Sequence, residues 1–214
     1  MKKVFVLSSL LFIALISGCK TGSKEAVQGP DARIDQLKNE VEANLKDNLL
    51  SWWSAKTVDY VNGGFYGRVN SKDSVITDAD KGGILNARIL WTYSAAYRVT
   101  GDTSYLRLAT RAKDYDLKYF IDKEYGGAYC SIDSKGQPKV AVKQIYTNAF
   151  FIYGFAEYAR ATGDKEALEA AAKTCEQMGT GEAAAAAVGA AAAAAGVEAV
   201  SPAGAAAGAA AGAA

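Results

Sequence analysis

Arg88 stands inside an apolar run, Gly83-Ile-Leu-Asn-Ala-Arg-Ile-Leu-Trp91. A helix serving only as core would carry Leu or Ala there, so the guanidinium needs a reason to be present. At about 100° per residue, Ile84, Arg88, Trp91, Thr92 and Ala95 share one stripe, and Asn86, Leu90, Tyr93 and Tyr97 lie opposite. A second apolar helix, 145–161, matches the first at a constant offset, which sets Tyr146 at the place of Ile84, Phe150 at Arg88 and Tyr153 at Trp91. Lys143 lies on the same side, three positions before Tyr146. A lining of Arg88, Trp91, Lys143, Tyr146, Phe150 and Tyr153 suits a polyhydroxylated ligand, with rings stacking on apolar sugar faces and cations donating to oxygens.

Each residue also has a purely structural reading. Arg88 is placed to reach past the helix end to Asp80, and Trp91, Tyr146 and Tyr153 at helical spacing fit a core. Asn86 recurs as Asn148 at the same offset, which argues for bonds to loop backbone, although Asn86 also stands as a ligand-contacting candidate. Tyr66 and Arg68 follow a glycine-rich turn and are candidates for the mouth of the site.

The elements that position these residues come from a repeat. Asp59, Gly63, Gly64 and Tyr66 recur in one register as Asp122, Gly126, Gly127 and Tyr129, and Arg98, Thr100, Gly101 and Asp102 recur as Arg160, Thr162, Gly163 and Asp164 in a register one position different. The unit is a pair of helices with a Gly-Gly turn. Apolar helices (84–99, 145–161) alternate with charged amphipathic ones (34–53, 103–120, 164–178). That alternation suits an all-α double layer with the apolar helices inside, an α/α toroid, with a solenoid as the alternative.

Composition narrows the chemistry. The 214 residues contain no histidine, which removes imidazole bases, Ser-His-Asp triads and His-bearing metal sites. A net charge of +1 offers no basic field for nucleic acid. The paired carboxylates of a glycosidase are also missing from the stripe: Ile84 to Tyr97 holds no Asp or Glu, and the second inner helix offers only Glu157, off the stripe. No metal or cofactor motif is present; Cys130 and Cys175 could pair in an oxidising compartment, but their spacing matches no metal or redox motif and two buried free thiols are the simpler reading.

The ends of the chain read differently. Residues 1–19 combine Lys2 and Lys3, an apolar run from Val4 to Ile16, and Ile16-Ser-Gly-Cys19, which resembles the lipobox of bacterial lipoproteins. The expectation is export, lipidation at Cys19 and anchoring in the outer membrane, periplasmic or surface-facing, since Lys20 rather than Asp follows the cysteine. Residues 20–30 read as a tether, 31–178 as the folded domain and 179–214 as an Ala/Gly low-complexity tail.

Four stretches carry a family resemblance: Asn62-Gly-Gly-Phe-Tyr-Gly67, Gly83-Ile-Leu-Asn-Ala-Arg-Ile-Leu-Trp91, Tyr125-Gly-Gly-Ala-Tyr129 and Lys143-Gln-Ile-Tyr146. From about Asp31 to Met178 the chain resembles the N-acylglucosamine 2-epimerase family, nearest its cellobiose or mannobiose branch. The resemblance implies an (α/α)6 barrel of roughly 370 residues, of which about two and a half helix pairs are present. It implies a cofactor-free epimerisation at C2 of the reducing-end sugar through a cis-enediolate, with Arg88 holding the oxygens and Tyr146 helping to bind the sugar. Trp91, Lys143, Phe150, Tyr66, Arg68 and Asn86 are then the substrate-contacting candidates. The family's two proton-transferring histidines lie in its second half, so the resemblance implies that the chain as written does not turn over. Cys130 departs from the pattern, standing where relatives usually carry an aromatic. Two other classes fit the same sequence: a lipid-anchored, non-catalytic carbohydrate-binding module, and a helical-repeat interaction protein.

Overall fold

The computed structural model describes residues 30–178. The leader, Cys19, the tether up to residue 29 and the Ala/Gly tail lie outside the described residues. Two compact units divide between Leu49 and Leu50. The first contributes helix α1 (Pro30–Ala43) and all but the last residue of a π-helical segment, Asn44–Leu50. Its apolar positions Ile34, Leu37, Val41, Leu45 and Leu49 are solvent-exposed.

The second unit holds α2 (Ser51–Lys56), β1 (Lys81–Gly82), α3 (Gly83–Thr100), α4 (Thr103–Tyr115) with a π-helical end at Asp116–Phe120, β2 (Ser131–Ile132), β3 (Pro138–Val140), α5 (Ile145–Thr162) and α6 (Lys165–Gln177). The apolar helices α3 and α5 pack on each other, and the amphipathic α4 and α6 pack on their outer sides. This is the double layer of a partial (α/α)6 toroid. Close approach of the inner helices depends on Gly154, where an added Cβ would stand 2.7 Å from the Ala87 carbonyl oxygen. The core between the layers is aromatic: Phe120 meets Phe151 at 5.4 Å, and Phe151 stacks on Phe155 at 5.9 Å.

The repeat appears in three dimensions. Each inner helix ends at a left-handed glycine, Gly101 or Gly163, and each outer helix begins at an aspartate cap: Asp102 accepts from Ser104 N–H and Asp164 from Ala167 N–H. Each Gly-Gly turn is closed by an isolated bridge, Val58 to Phe65 in the first and Ile121 to Ala128 in the second.

A small antiparallel sheet in the order β1-β2-β3, pairing Lys81 with Ile132 and Ser131 with Val140, lies beside the starts of α3 and α5. The sequence pattern predicts no strand here. Strands of two and three residues are too short to show alternation, and β1 finds its partner in the other repeat.

Candidate functional site

Local sequence places the site. Arg88 and Trp91 lie one turn apart on α3, and Tyr146, Phe150 and Tyr153 climb α5 at steps of four and three. Packing α3 against α5 brings the two stripes together. Trp91 stacks on Tyr153, its counterpart in the repeat, with ring centroids 4.9 Å apart and planes 10° apart. The Arg88 guanidinium lies over the Phe150 ring at 5.7 Å. Tyr146 and Tyr153 each meet Phe150 edge-on, at 5.1 and 6.2 Å.

Arg88, Tyr146 and Tyr153 face solvent, whereas Trp91 and Phe150 are half-buried and Phe150 packs against the core. Tyr146 is 63 % exposed and Tyr153 44 %, so neither is a core tyrosine. Arg88 is exposed, and the acid it was placed to reach is taken: Asp80 pairs with Lys139 at 2.9 Å. Among the described residues Arg88 has no carboxylate partner. Burial raises the Tyr153 phenol above its ordinary pKa, and Glu157 adds to the effect, so the hydroxyl stays protonated and able to donate.

The other expected residues lie elsewhere. Asn86 is 2 % exposed and donates from Nδ2 to the Gly82 carbonyl at 2.9 Å, which fixes the start of α3 and takes it off the exposed stripe. Its counterpart Asn148 donates to Gln144 O and accepts from Ala128 N–H, the loop-backbone role that the recurrence suggested. Lys143 is bound to Asp122 at 2.6 Å rather than held out beside Tyr146. Tyr66 is half-buried and Arg68 exposed. Among the described residues neither side chain makes a hydrogen bond, ion pair or ring contact with Arg88, Trp91, Tyr146, Phe150 or Tyr153. Glu157 is buried against Arg98 at 2.7 Å and Arg160 at 3.6 Å, away from any second acid that would make a hydrolytic pair. Cys130 and Cys175 are not joined by a disulfide; Cys175 is buried as expected, but Cys130 is half-buried, with its Sγ 3.4 Å from Thr147 Oγ1.

Sequence reasoning missed the pair Asp59–Lys81, which is fully buried with Nζ to Oδ2 at 2.8 Å. Burial pushes the Asp59 carboxyl up, but N–H donation from Asn62 and the Lys81 charge outweigh it and hold it below the ordinary value. The signal was available, because the repeat that sets Asp59 against Asp122 also sets Lys81 against Lys143. Two surface clefts of about 490 and 500 Å³ lie against the outer helices, and neither is lined by a stripe residue. The stripe lies outside both clefts. Among the described residues no three metal-ligating side chains gather in one place.

The family model described as N-acylglucosamine 2-epimerase matches residues 64–195, more than half of the chain. The chain belongs to the N-acylglucosamine 2-epimerase family. It is 51 % identical over 132 residues to a cellobiose 2-epimerase of Bacteroides fragilis, a match covering 62 % of this chain and 34 % of that protein. It is 41 % identical over 140 residues to a cellobiose 2-epimerase of Ruminococcus albus, covering 65 % and 36 %. The solved cellobiose 2-epimerase of Bacillus thermoamylovorans B4167 superposes with a TM-score of 0.66 at 39 % identity, over 68 % of this chain and 37 % of that one. A D-mannose isomerase shares the fold at 20 % identity and a TM-score of 0.60. The chain thus spans about a third of the length of the relatives it matches. The family's toroid accounts for the alternation of inner and outer helices.

Proposed function

We propose that the exposed face of α3 and α5 binds the reducing-end sugar of a disaccharide such as cellobiose or mannobiose, as part of a 2-epimerase that interconverts gluco and manno configuration. The observation that carries this reading is the Arg88 guanidinium, exposed over Phe150 with no carboxylate partner among the described residues, beside a stacked pair of rings. In the reaction the pyranose opens to an aldehyde at C1. A base takes the proton from C2, the electron pair moves onto the carbonyl oxygen, and a cis-enediolate forms. Return of a proton to the opposite face of C2 gives the epimer. Arg88 presents two parallel N–H donors to the two neighbouring oxygens of that anion, a geometry that a lysine lacks. Tyr146 donates to a sugar hydroxyl, and Trp91, Phe150 and Tyr153 supply apolar surface.

The base is a separate matter. With no histidine in 214 residues, the chain has no side chain whose ordinary pKa suits proton exchange at neutral pH. The proposed activity of these residues alone is binding without turnover, which also keeps a non-catalytic carbohydrate-binding module as the second reading. The leader Lys2 to Cys19 supports export and a lipid anchor at Cys19. No described helix is long and apolar enough to cross a membrane.

Incubation with cellobiose in heavy water tests the assignment. The chain as written is expected to leave C2 free of deuterium, and label at C2 with a mannose-containing product would overturn the inactivity. A chimera carrying the remaining length of a family relative is expected to exchange C2, and failure of a folded chimera to do so would overturn the epimerase reading.

A further inference from the structure

The two repeats build one turn in the same way. Asp59 Oδ1 accepts from Val61 and Asn62 N–H at 3.0 and 2.8 Å, while Oδ2 takes Lys81. Asp122 Oδ1 accepts from Glu124 and Tyr125 N–H at 2.9 and 3.0 Å, while Oδ2 takes Lys143. Each lysine sits two positions before an inner helix begins, at Gly83 and at Ile145. The ion pair therefore ties the Gly-Gly turn to the start of the helix that carries the site.

The copies differ in enclosure. Lys81 is sealed: its side chain is 1 % exposed, it also donates to Gly63 O at 2.6 Å, and it lies over the Tyr115 ring at 4.6 Å. In the second repeat Gln177 stands at the place of Tyr115, and it instead accepts from Gly127 N–H. Lys143 consequently stands between the rings of Tyr125 and Tyr129, at 5.6 and 5.8 Å, with 25 % of its side chain exposed.

The first turn of α5 is held on one side by Thr147 and Asn148, which are buried, with Asn148 donating to Gln144 O and accepting from Ala128 N–H. The N-cap, Gln144, makes no side-chain capping bond, and Ile145 and Tyr146 are 68 % and 63 % exposed, so burial does not anchor them. We propose that Asp122 and Lys143 are a positioning pair for the site, fixing the start of α5 so that Tyr146 stands against Phe150 and, through it, beside Arg88. This rests on the sugar-binding reading of that face. Lys143 acts through the helix start, and its ammonium is spent on Asp122.

The test compares Lys143→Met, Lys143→Arg and Asp122→Asn with the unaltered chain by two measurements: amide hydrogen exchange at residues 148–150, and cellobiose affinity from tryptophan fluorescence. Loss of the pair is expected to speed exchange at 148–150 by about tenfold or more, with residues 86–88 of α3 unchanged. Cellobiose Kd is expected to rise about tenfold, and Lys143→Arg to keep both within about threefold because a guanidinium can still pair with Asp122. Unchanged exchange in Lys143→Met overturns the proposal, as does a raised Kd with normal exchange, which would make Lys143 a direct ligand contact. If Lys143→Met does not fold, Asp122→Asn carries the same readouts, since it keeps the oxygen that holds the turn. An unaltered chain that binds no cellobiose while the exchange pattern appears would support the positioning pair and overturn the sugar reading.

Discussion

Trp91 and Tyr153 occupy equivalent places in two repeats and stack on each other across the inner-helix interface, at 4.9 Å and 10°. The stack couples the two helices at the exposed face, where aliphatic burial is incomplete. A double-mutant cycle with Trp91→Ala and Tyr153→Ala in urea denaturation is expected to return a coupling of about 0.5–1.5 kcal/mol. Full additivity would show that the rings are neighbours without mutual stabilisation.

Arg88 should separate binding from stability. Among the described residues it makes no ion pair and lies over the Phe150 ring, so Arg88→Ala is expected to cost about 0.5–1 kcal/mol of unfolding free energy. Its cellobiose affinity is expected to fall by about tenfold or more. Arg88→Lys keeps the charge without the planar fork and should recover only part of that loss.

Lys81 and Lys143 offer an internal control. Lys81→Met leaves Asp59 charged and fully buried, a situation that costs about 3–5 kcal/mol. Lys143→Met leaves Asp122 nearer solvent, where water replaces part of the lost pairing, so its thermal midpoint should fall by much less. Equal losses in the two variants would refute this difference in enclosure.

Gly64 and Gly101 both adopt positive φ, at +62° and +71°, but only Gly64 lies against a neighbour: a Cβ there would stand 2.7 Å from the Tyr115 ring, whereas at Gly101 nothing lies within 4 Å. Gly101→Ala should cost about 1 kcal/mol for the backbone alone, and Gly64→Ala about 1–3 kcal/mol more for the clash. Chemical denaturation of the two variants measures the difference directly.

Asp116 sets a pH dependence. It is fully buried, and among the described residues neither carboxyl oxygen has a hydrogen-bond partner; the neighbouring Tyr115 hydroxyl is in the same state. Burial pushes the Asp116 carboxyl well above the usual carboxylate range, so the folded chain keeps a proton that the unfolded chain releases above about pH 4. The contribution of Asp116 is therefore complete below about pH 4 and is lost as pH rises toward the folded value. Asp116→Asn removes this slope, and its stability relative to the unaltered chain should improve as pH rises above about pH 4 toward the folded value. A constant gap across that range would show that Asp116 does not change protonation on unfolding.

Much of the architecture is legible in the chain. The misplaced Arg88, the recurrence of the Gly-Gly turn and inner helix, and the helical spacing of Trp91, Tyr146, Phe150 and Tyr153 identify the inner helices and the stripe they share. The small sheet is not legible, because Lys81–Gly82 pairs with Ser131–Ile132 across two intervening helices with no local pattern to announce it. Nor is the fate of Lys143: on a helical wheel it falls beside Tyr146, but it precedes the helix, which lets it turn back to Asp122.

The sequence by itself determined which residues share a face and which chemistry is closed to them, since periodicity is a local property and the absence of histidine a property of composition. Only the tertiary structure decided the partners. Lys139 rather than Arg88 takes Asp80, from a distant segment of the chain, and Asp122 takes Lys143. Such choices depend on distances and solvent access that arise only when separate segments pack together, and they leave the Arg88 guanidinium exposed above Phe150.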